Sequence, residues 1–303
     1  MIYTLTLNPS VDYIVEADEI VLGGLNRSKN EAKFPGGKGI NVSRVLRSME
    51  MESKAIGFLG GFTGKYVEEF LNREGIYTGF IKVDGDTRIN IKLKADTETE
   101  INARGPEISS LSLGLLKEQI KQIGNGDFLV LAGSIPSSMP GTIYEEIVQI
   151  CKDTGAEVIV DAEGDLLKTV LEYRPFLIKP NHHELGQFFN TEVSSTEEAI
   201  FYGKKLIEAG AKNVIVSLAE KGAVYINEAT AYIASVPKGE VKSSVGAGDS
   251  MVAGFLSRYM KTKDRKEAFR YSVASGSATA FSIGLCTDEK VEKLLSEVNI
   301  QEC

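Results

Sequence analysis

Residues 245–250 (VGAGDS) are of the types needed to bind an anion and activate a hydroxyl group. They precede an apolar stretch, residues 251–259, that is typical of a helix. Two glycines let consecutive backbone N–H groups face one point, and a helix N-terminus adds positive potential there. An acidic residue inside such an anion hole, Asp249, suits the activation of a hydroxyl for in-line attack. Taken alone, the motif also fits a glycine-rich turn capped by aspartate.

A second glycine-rich segment, residues 35–41 (PGGKGIN), also opens a helical pattern. Its glycines would let a ligand approach the backbone, and Lys38 would supply a positive charge. The segment is not a Walker A loop, because Lys38 lacks both the required upstream glycine and the downstream hydroxyl. No GxGxxG sequence occurs, so a dinucleotide oxidoreductase lacks its main signature. A structural turn with a solvated lysine is the alternative interpretation.

Residues 179–184 (KPNHHE) join the end of a strand pattern to the start of a helix pattern. Asn181 and Glu184 can reach the same face of the first helical turn, and this pair suits a magnesium ion held mainly through water. The same spacing is common in ordinary helix caps, which is the alternative. His182 and His183 are adjacent, so we expect their rings to point in different directions and not to share a metal.

The elements that position these segments follow from hydrophobic periodicity. From about residue 128 onward, β-branched runs alternate with amphipathic stretches, which is typical of βαβ units around a mostly parallel sheet. The pattern predicts strands at residues 2–7, 128–132, 158–161, 176–179 and 213–217, and helices at residues 39–48, 142–153 and 196–209.

Two stretches depart from this alternation. Residues 88–95 and 99–104 alternate apolar and polar side chains with period two around a turn at residues 96–98. This pattern predicts a hairpin that stands apart from the main sheet. A small β appendage over an α/β sheet suggests a lid.

Composition narrows the class of protein. The 303 residues are 43% hydrophobic and 25% charged, as in soluble globular proteins, and carry a net charge of −8 that disfavours nucleic acid and anionic membranes as partners. The three cysteines are far apart, so neither a disulfide framework nor a metal pair is predicted. No apolar run approaches the ~20 residues that span a bilayer, and a cytoplasmic protein is expected. Because the net charge is negative, an anionic ligand would require a local basic cluster.

Four motifs together resemble the phosphofructokinase B branch of the ribokinase family. PGGKGIN, KPNHHE, residues 216–223 (VSLAEKGA) and VGAGDS occur in this order over roughly 220 residues. The resemblance covers nearly the whole chain. It implies a ribokinase-like α/β domain over residues 1–303, with a Rossmann-type mostly parallel sheet flanked by helices and a small β-strand lid near residues 12–34 and 87–104. It also implies an ATP- and Mg²⁺-dependent kinase that phosphorylates a sugar phosphate.

The resemblance assigns roles to individual residues. It implies Asp249 as the catalytic base and Gly246, Ala247 and Gly248 as the anion hole for the transferring phosphoryl group. Asp12, in residues 8–12 (NPSVD), is implied as a ligand of a sugar hydroxyl, with a turn carboxylate after the first strand as the alternative. Gly37, Lys38 and Asn41 are implied on the sugar-binding loop. Nucleotide ligands are implied at Lys179, Asn181, Ser217, Gly222 and Gly248, with Asn181 and Glu184 organising magnesium, predicted to be held through water.

The substrate is indicated by one further segment. Residues 85–92 (GDTRINIK) resemble members that phosphorylate the 6-hydroxyl of fructose 1-phosphate, whereas tagatose 6-phosphate kinases share GGKG and VGAGDS. We predict that Lys38 and Arg88 hold the substrate phosphate and that Asn90 selects the hydroxyl pattern. Arg88 as a solvated lid residue is the alternative.

Three further questions concern the whole chain. Exposed lid strands predict a homodimer in which two lids cover one another.

A sugar-phosphate sensor without turnover and a kinase for an unphosphorylated sugar or nucleoside are the competing functions. Glu163 adds a charge near the nucleotide side.

Overall fold

The apolar runs of the sequence form the strands at the centre of the molecule. The computed structural model describes residues 1–162 and 164–303, so Glu163 lies outside the described residues. The strands are β1 (Ile2–Thr6), β2 (Ser10–Glu16), β3 (Asn30–Gly36), β4 (Ser53–Gly60), β5 (Tyr77–Val83), β6 (Arg88–Lys94), β7 (Glu98–Ile101), β8 (Phe128–Ala132), β9 (Glu157–Asp161), β10 (Leu177–Ile178), β11 (Asn213–Ser217), β12 (Ala223–Asn227), β13 (Ala231–Ala234) and β14 (Ile300–Glu302).

Helices cover the sheet and connect its strands. They are α1 (Lys38–Ser48), α2 (Gly61–Arg73), α3 (Ser110–Ile120), α4 (Ile143–Thr154), α5 (Asp165–Val170), α6 (His182–Phe189), α7 (Thr196–Glu208), α8 (Ala247–Thr262), α9 (Arg265–Ala280) and α10 (Asp288–Leu295). Single 3₁₀ turns form at Leu171–Tyr173 and Ala219–Lys221. None of the helices in the described part of the chain has the length and apolar character needed to cross a membrane.

The main sheet has ten strands in the order β14-β13-β12-β11-β10-β9-β8-β1-β4-β5. The seven strands from β11 to β5 are parallel, and β12, β13 and β14 add an antiparallel edge. Every residue of β8 is buried, as expected for a parallel strand covered by helices on both faces. The predicted mostly parallel α/β fold is confirmed.

A second sheet of four strands, ordered β3-β2-β6-β7, stands apart from the main sheet. Its β6–β7 hairpin confirms the predicted one, since Lys92 pairs with Glu100 in antiparallel register. The pairing of β2 with β6 is parallel and brings Asp12 opposite Asn90, although 78 residues separate them in sequence. The small sheet is therefore held together by contacts between segments far apart in the chain.

Helix α8 begins earlier than the apolar pattern indicates. Its N-cap, Gly246, has a φ of +78°, a left-handed conformation that favours glycine, and Ala247 is the first helical residue. Asp249 consequently lies within the first helical turn. The N–H of Ala247 donates to the carbonyl oxygen of Ser244 over 3.3 Å, whereas the next N–H groups of this turn have no partner within the helix and face the space in front of it.

Candidate active site

A cleft of about 1670 Å³ separates the small sheet from the carboxyl ends of the main-sheet strands, which is where α/β proteins bind ligands. Its volume exceeds the roughly 300–1,000 Å³ of a typical small-molecule site, so it has room for two substrates. All the site residues named from the sequence line this one cleft: Asp12, Gly37, Lys38, Asn41, Arg88, Asn90, Lys179, Asn181, Glu184, Ser217, Gly222, Gly246, Ala247, Gly248 and Asp249.

Asp249 is a buried carboxylate with one hydrogen-bond donor next to it. Asn41 Nδ2 donates to Asp249 Oδ2 over 2.8 Å, which fixes the orientation of the carboxyl plane. Burial and then the charge of Asp161 raise the pKa of Asp249 to about 6, although Asn41 and two lysines act in the opposite direction. A carboxylate with such a pKa is ionised at neutral pH and still basic enough to accept a proton.

Asp161 forms a buried charge cluster with two lysines, and the sequence interpretation had not identified it as a site residue. Its Oδ1 lies 3.4 Å from Lys38 Nζ and 3.6 Å from Lys179 Nζ. Burial acts to raise the pKa of Asp161, but the ammonium groups of Lys179 and Lys38 outweigh it and hold that pKa below its usual value. The sequence could have indicated Asp161 only by its position at the end of a predicted strand, since the carboxyl ends of parallel strands are where ligands bind.

Gly248 is the position at which the anion hole meets this cluster. A Cβ atom on Gly248 would lie 2.9 Å from Lys179 Nζ, so glycine leaves the space that the ammonium group occupies. Lys179 therefore lies directly against the first turn of α8. The N–H groups of that turn and the ammonium group together provide hydrogen-bond donors for a phosphoryl group.

On the lid side, Asp12 and Asn90 form a polar pair. Asp12 Oδ1 accepts hydrogen bonds from Ser10 Oγ (2.7 Å) and Asn90 Nδ2 (3.1 Å), which leaves Asp12 Oδ2 to accept from a ligand. Asn90 Oδ1 is buried and has no hydrogen-bond partner among the described atoms. Gly36 makes this arrangement possible, because a Cβ atom there would lie 2.3 Å from Asp12 Oδ1. These free acceptors are suited to sugar hydroxyl groups.

Arg88 lies where the lid joins the main domain and is not a solvated residue. Its Nε and Nη2 donate to the carbonyl oxygen of Asn8 over 3.2 and 3.0 Å, and its Nη1 donates to that of Ala103 over 3.1 Å. Three of its five N–H donors are thus used by the backbone. Arg88 connects the chain segments that enter and leave the small sheet.

Asn181 and Glu184 form a complete capping box at the start of α6. Asn181 Oδ1 accepts from the Glu184 N–H over 2.9 Å, and Glu184 Oε2 accepts from the Asn181 N–H over 2.7 Å. Glu184 Oε1 has no such role, and burial raises the pKa of this carboxyl group. The pair fits a magnesium ion contacted through water. No three His, Cys, Asp or Glu side chains converge on a metal position within residues 1–162 and 164–303.

The two histidines differ from expectation. The rings of His182 and His183 lie against each other with centroids 3.9 Å apart, and both line the cleft. The prediction that they point in different directions was wrong, because their positions in the first helical turn let both rings turn into the cleft.

Ser217 and Gly222 lie at the main-sheet wall of the cleft. Ser217 ends β11, and Gly222 has a φ of +98° at the start of β12. A Cβ atom on Gly222 would lie 2.0 Å from the carbonyl oxygen of Ala234, so close packing against β13 requires glycine. This packing accounts for a glycine at position 222 whether or not a ligand binds there.

Comparison with known proteins assigns the chain to a family. Residues 5–292 match the pfkB family carbohydrate kinases. The chain belongs to this family. This pfkB-family chain is 55% identical to the 1-phosphofructokinase of Bacillus subtilis (strain 168) over 300 residues, with 99% of each chain covered. It is 38% identical to a D-tagatose-1-phosphate kinase of Bacillus licheniformis, again with 99% of each chain covered.

The fold comparison agrees with this assignment. The tetrameric inhibited form of phosphofructokinase-2 from Escherichia coli matches with a TM-score of 0.91 at 28% identity, with 98% of each chain covered. The pfkB-family fold thus extends over both sheets. The buried carboxylate, the open helix N-terminus and the two lysines lie together in a protein of a carbohydrate kinase family.

Proposed function

We propose that this chain transfers the γ-phosphoryl group of ATP to the 6-hydroxyl of fructose 1-phosphate, giving fructose 1,6-bisphosphate and ADP. The observation that carries the proposal is the position of Asp249. It is a buried carboxylate of raised pKa, oriented by Asn41, in the first turn of a helix that opens onto a cleft large enough for both substrates.

In the proposed mechanism, Asp249 accepts the proton of the 6-hydroxyl as its oxygen attacks the γ-phosphorus. The bond between that phosphorus and the bridging oxygen of ADP breaks, and ADP leaves with the electron pair. The N–H groups of Gly246, Ala247 and Gly248 stabilise the charge on the transferring group, together with Lys38 and Lys179. Because these groups are already in place, little reorganisation accompanies the reaction.

The acceptor is proposed to be a ketose 1-phosphate. The two relatives compared above are named for fructose 1-phosphate and tagatose 1-phosphate chemistry, and both names place the phosphate on carbon 1. The chain is more similar to the first of them, which favours fructose 1-phosphate. D-Tagatose 1-phosphate, which differs in the configuration at carbon 4, is the second candidate. Asp12 and Asn90 have the acceptor atoms that would contact such hydroxyls.

Nucleotide and magnesium are assigned to the opposite half of the cleft. Ser217 ends β11, Asn181 follows β10 and Gly222 precedes β12; all three lie on that side of the cleft and would contact ATP. Magnesium, when bound, would neutralise charge on the ATP phosphates. Glu184 would hold the ion through water and keep the α6 cap intact.

The small sheet is proposed to act as a lid and as the contact between two copies of the chain. Its edge strands, β3 and β7, pair on one side only. The loop between β2 and β3 carries Leu22 and Leu25, which are 93% and 79% exposed. Exposed apolar residues beside open strand edges are typical of an interface. The Escherichia coli relative was solved as a tetramer, which supports self-association.

The test is ADP release measured with purified protein and a panel of acceptors. Fructose 1-phosphate, tagatose 1-phosphate, fructose 6-phosphate, tagatose 6-phosphate and free fructose would be compared by kcat/KM, with Asp249→Asn as the inactive control. We expect the highest value with fructose 1-phosphate. Preference for tagatose 1-phosphate would change the substrate, preference for free fructose would reject the phosphate assignment, and binding without turnover would support a sensor.

A further inference from the structure

Lys92 lies on the same face of lid strand β6 as Arg88 and Asn90, because residues two apart in a strand share a face. All three line the cleft. The Lys92 side chain is only 11% exposed, and its ammonium group lies 3.2 Å from Glu100 Oε1 on β7. Glu100 is its one charged partner within the described residues. A nearly buried lysine is costly unless its charge is compensated, and one carboxylate leaves some of its three N–H donors available.

The other cations near the proposed reaction are already engaged. Lys38 and Lys179 lie on Asp161, at the end of the cleft where the phosphoryl group would be transferred. Arg88 uses three N–H groups to connect backbone segments. Lys238 also lines the cleft, but from the main-domain segment after β13. Lys92 is thus a second cleft-lining lid cation, beside Arg88, with donors to offer an anion.

The position of Lys92 fits the geometry of a sugar phosphate. If Asp12 and Asn90 contact the sugar hydroxyls and Asp249 faces the hydroxyl that reacts, the phosphate lies at another end of the sugar. Lys92 is two residues beyond Asn90, which places their Cα atoms about 7 Å apart. Both side chains project from one face of β6, so a ligand that contacts Asn90 can also reach Lys92.

We propose that Lys92 binds the phosphate monoester of the acceptor sugar, and that Glu100 holds the Lys92 ammonium in place until this phosphate arrives. This inference rests on the proposed function and adds a residue that determines selectivity for phosphorylated acceptors. In this arrangement Glu100 competes with the substrate phosphate for the same ammonium group. Removal of Lys92 should therefore weaken binding of the sugar phosphate, whereas removal of the Glu100 charge should strengthen it.

A purely structural role for the pair makes a different prediction. If the ion pair only stabilises the β6–β7 hairpin, removal of either partner loosens the lid in the same way. Lys92→Met and Glu100→Gln would then both weaken binding of fructose 1-phosphate. The sign of the Glu100→Gln effect separates the two roles, even if Lys92→Met does not fold.

The experiment compares Lys92→Met, Lys92→Arg and Glu100→Gln with a matched control, Lys94→Met. Lys94 has the same charge on the same strand but does not line the cleft. Calorimetric Kd and steady-state KM for fructose 1-phosphate would be measured, with KM for ATP. One charge-assisted hydrogen bond corresponds to about tenfold or more in affinity.

We expect Lys92→Met to raise Kd and KM for fructose 1-phosphate about tenfold or more, with kcat and KM for ATP within about threefold of wild type. Lys92→Arg and Lys94→Met should stay close to wild type, and Glu100→Gln should lower Kd. An unchanged Kd in Lys92→Met, or a weaker one in Glu100→Gln, overturns the inference. Absence of turnover in the wild type would reject the proposed kinase function instead, because calorimetry still reports the role of Lys92.

Discussion

At the scale of single residues, the site is defined by charges that are costly to bury. Asp249 and Asp161 are both buried, and their mutual repulsion contributes to the raised pKa of Asp249. Lys38 and Lys179 compensate Asp161 directly. The cluster therefore favours the ionised form of Asp161 and raises the pKa of Asp249 to about 6.

The first prediction concerns Asp249→Asn. General-base catalysis is worth about 10²–10⁴-fold, so we expect kcat to fall at least a hundredfold while ATP still binds. Steady-state ADP release measures the first effect and calorimetry the second. A kcat above one tenth of the wild-type value would exclude Asp249 as the base.

The same substitution should stabilise the protein. The pKa of Asp249 is about 6 in the folded state, against about 3.9 for an unperturbed aspartate, so its ionisation costs stability as pH rises from about 4, and this loss is complete above about 6. The amide cannot ionise, so the gain should approach about 3 kcal/mol at pH 8 and fall to roughly half of that at pH 5. Chemical denaturation at both pH values tests this. A gain that does not depend on pH would contradict the ionisation argument.

The next prediction concerns Asp161→Asn and the pH profile. Removal of the Asp161 charge takes away a repulsion that raises the pKa of Asp249 and leaves two lysines that lower it. The base then stays ionised to lower pH. We expect the acidic limb of the kcat/KM profile for fructose 1-phosphate, near pH 6 in the wild type, to move to lower pH. Movement to higher pH would contradict the assignment of Asp249 as the titrating group.

At the scale of elements, local patterns predicted some parts and could not predict others. The β6–β7 hairpin was visible because alternation and a turn are encoded within adjacent residues. The parallel pairing of β2 with β6 was not, because it joins segments about 80 positions apart. Helix α9 contains the run SVASGSAT, whose residues are buried on every side, so no apolar stripe marked it. The Asp161 cluster likewise depends on α1, β9 and β10 lying side by side.

Arg88 provides the prediction for the lid as an element. Lysine retains the charge but lacks the planar fork by which Arg88 donates to the carbonyl oxygens of Asn8 and Ala103 from separate nitrogens. If the connection between these segments is what matters, Arg88→Lys should raise KM for fructose 1-phosphate about fivefold to tenfold and increase ATP hydrolysis without acceptor, since the lid excludes water less well. Arg104→Lys is the control, because Arg104 directly follows Ala103 and is exposed. Wild-type values for Arg88→Lys would show that charge alone suffices.

At the scale of the whole molecule, the two sheets differ in how far the chain itself covers them. The main sheet buries its centre between helices, whereas the small sheet has open edges and a loop with two strongly exposed leucines. Covering a surface of this kind with a second copy is favourable, because apolar area leaves water and open strand edges are protected. The cleft lies beneath this sheet, so we expect association of two copies to affect how the sheet covers the cleft.

We therefore predict a homodimer that depends on the loop between β2 and β3. The double variant Leu22→Asp/Leu25→Asp places two charges where apolar contacts are expected, and it should shift the protein from dimer to monomer in sedimentation velocity. Leu111→Asp is the matched control, because Leu111 is 74% exposed but lies on α3 in the main domain, and it should leave the dimer intact. A monomeric wild type with full activity, or the same assembly state in both variants, would show that the small sheet is not the interface.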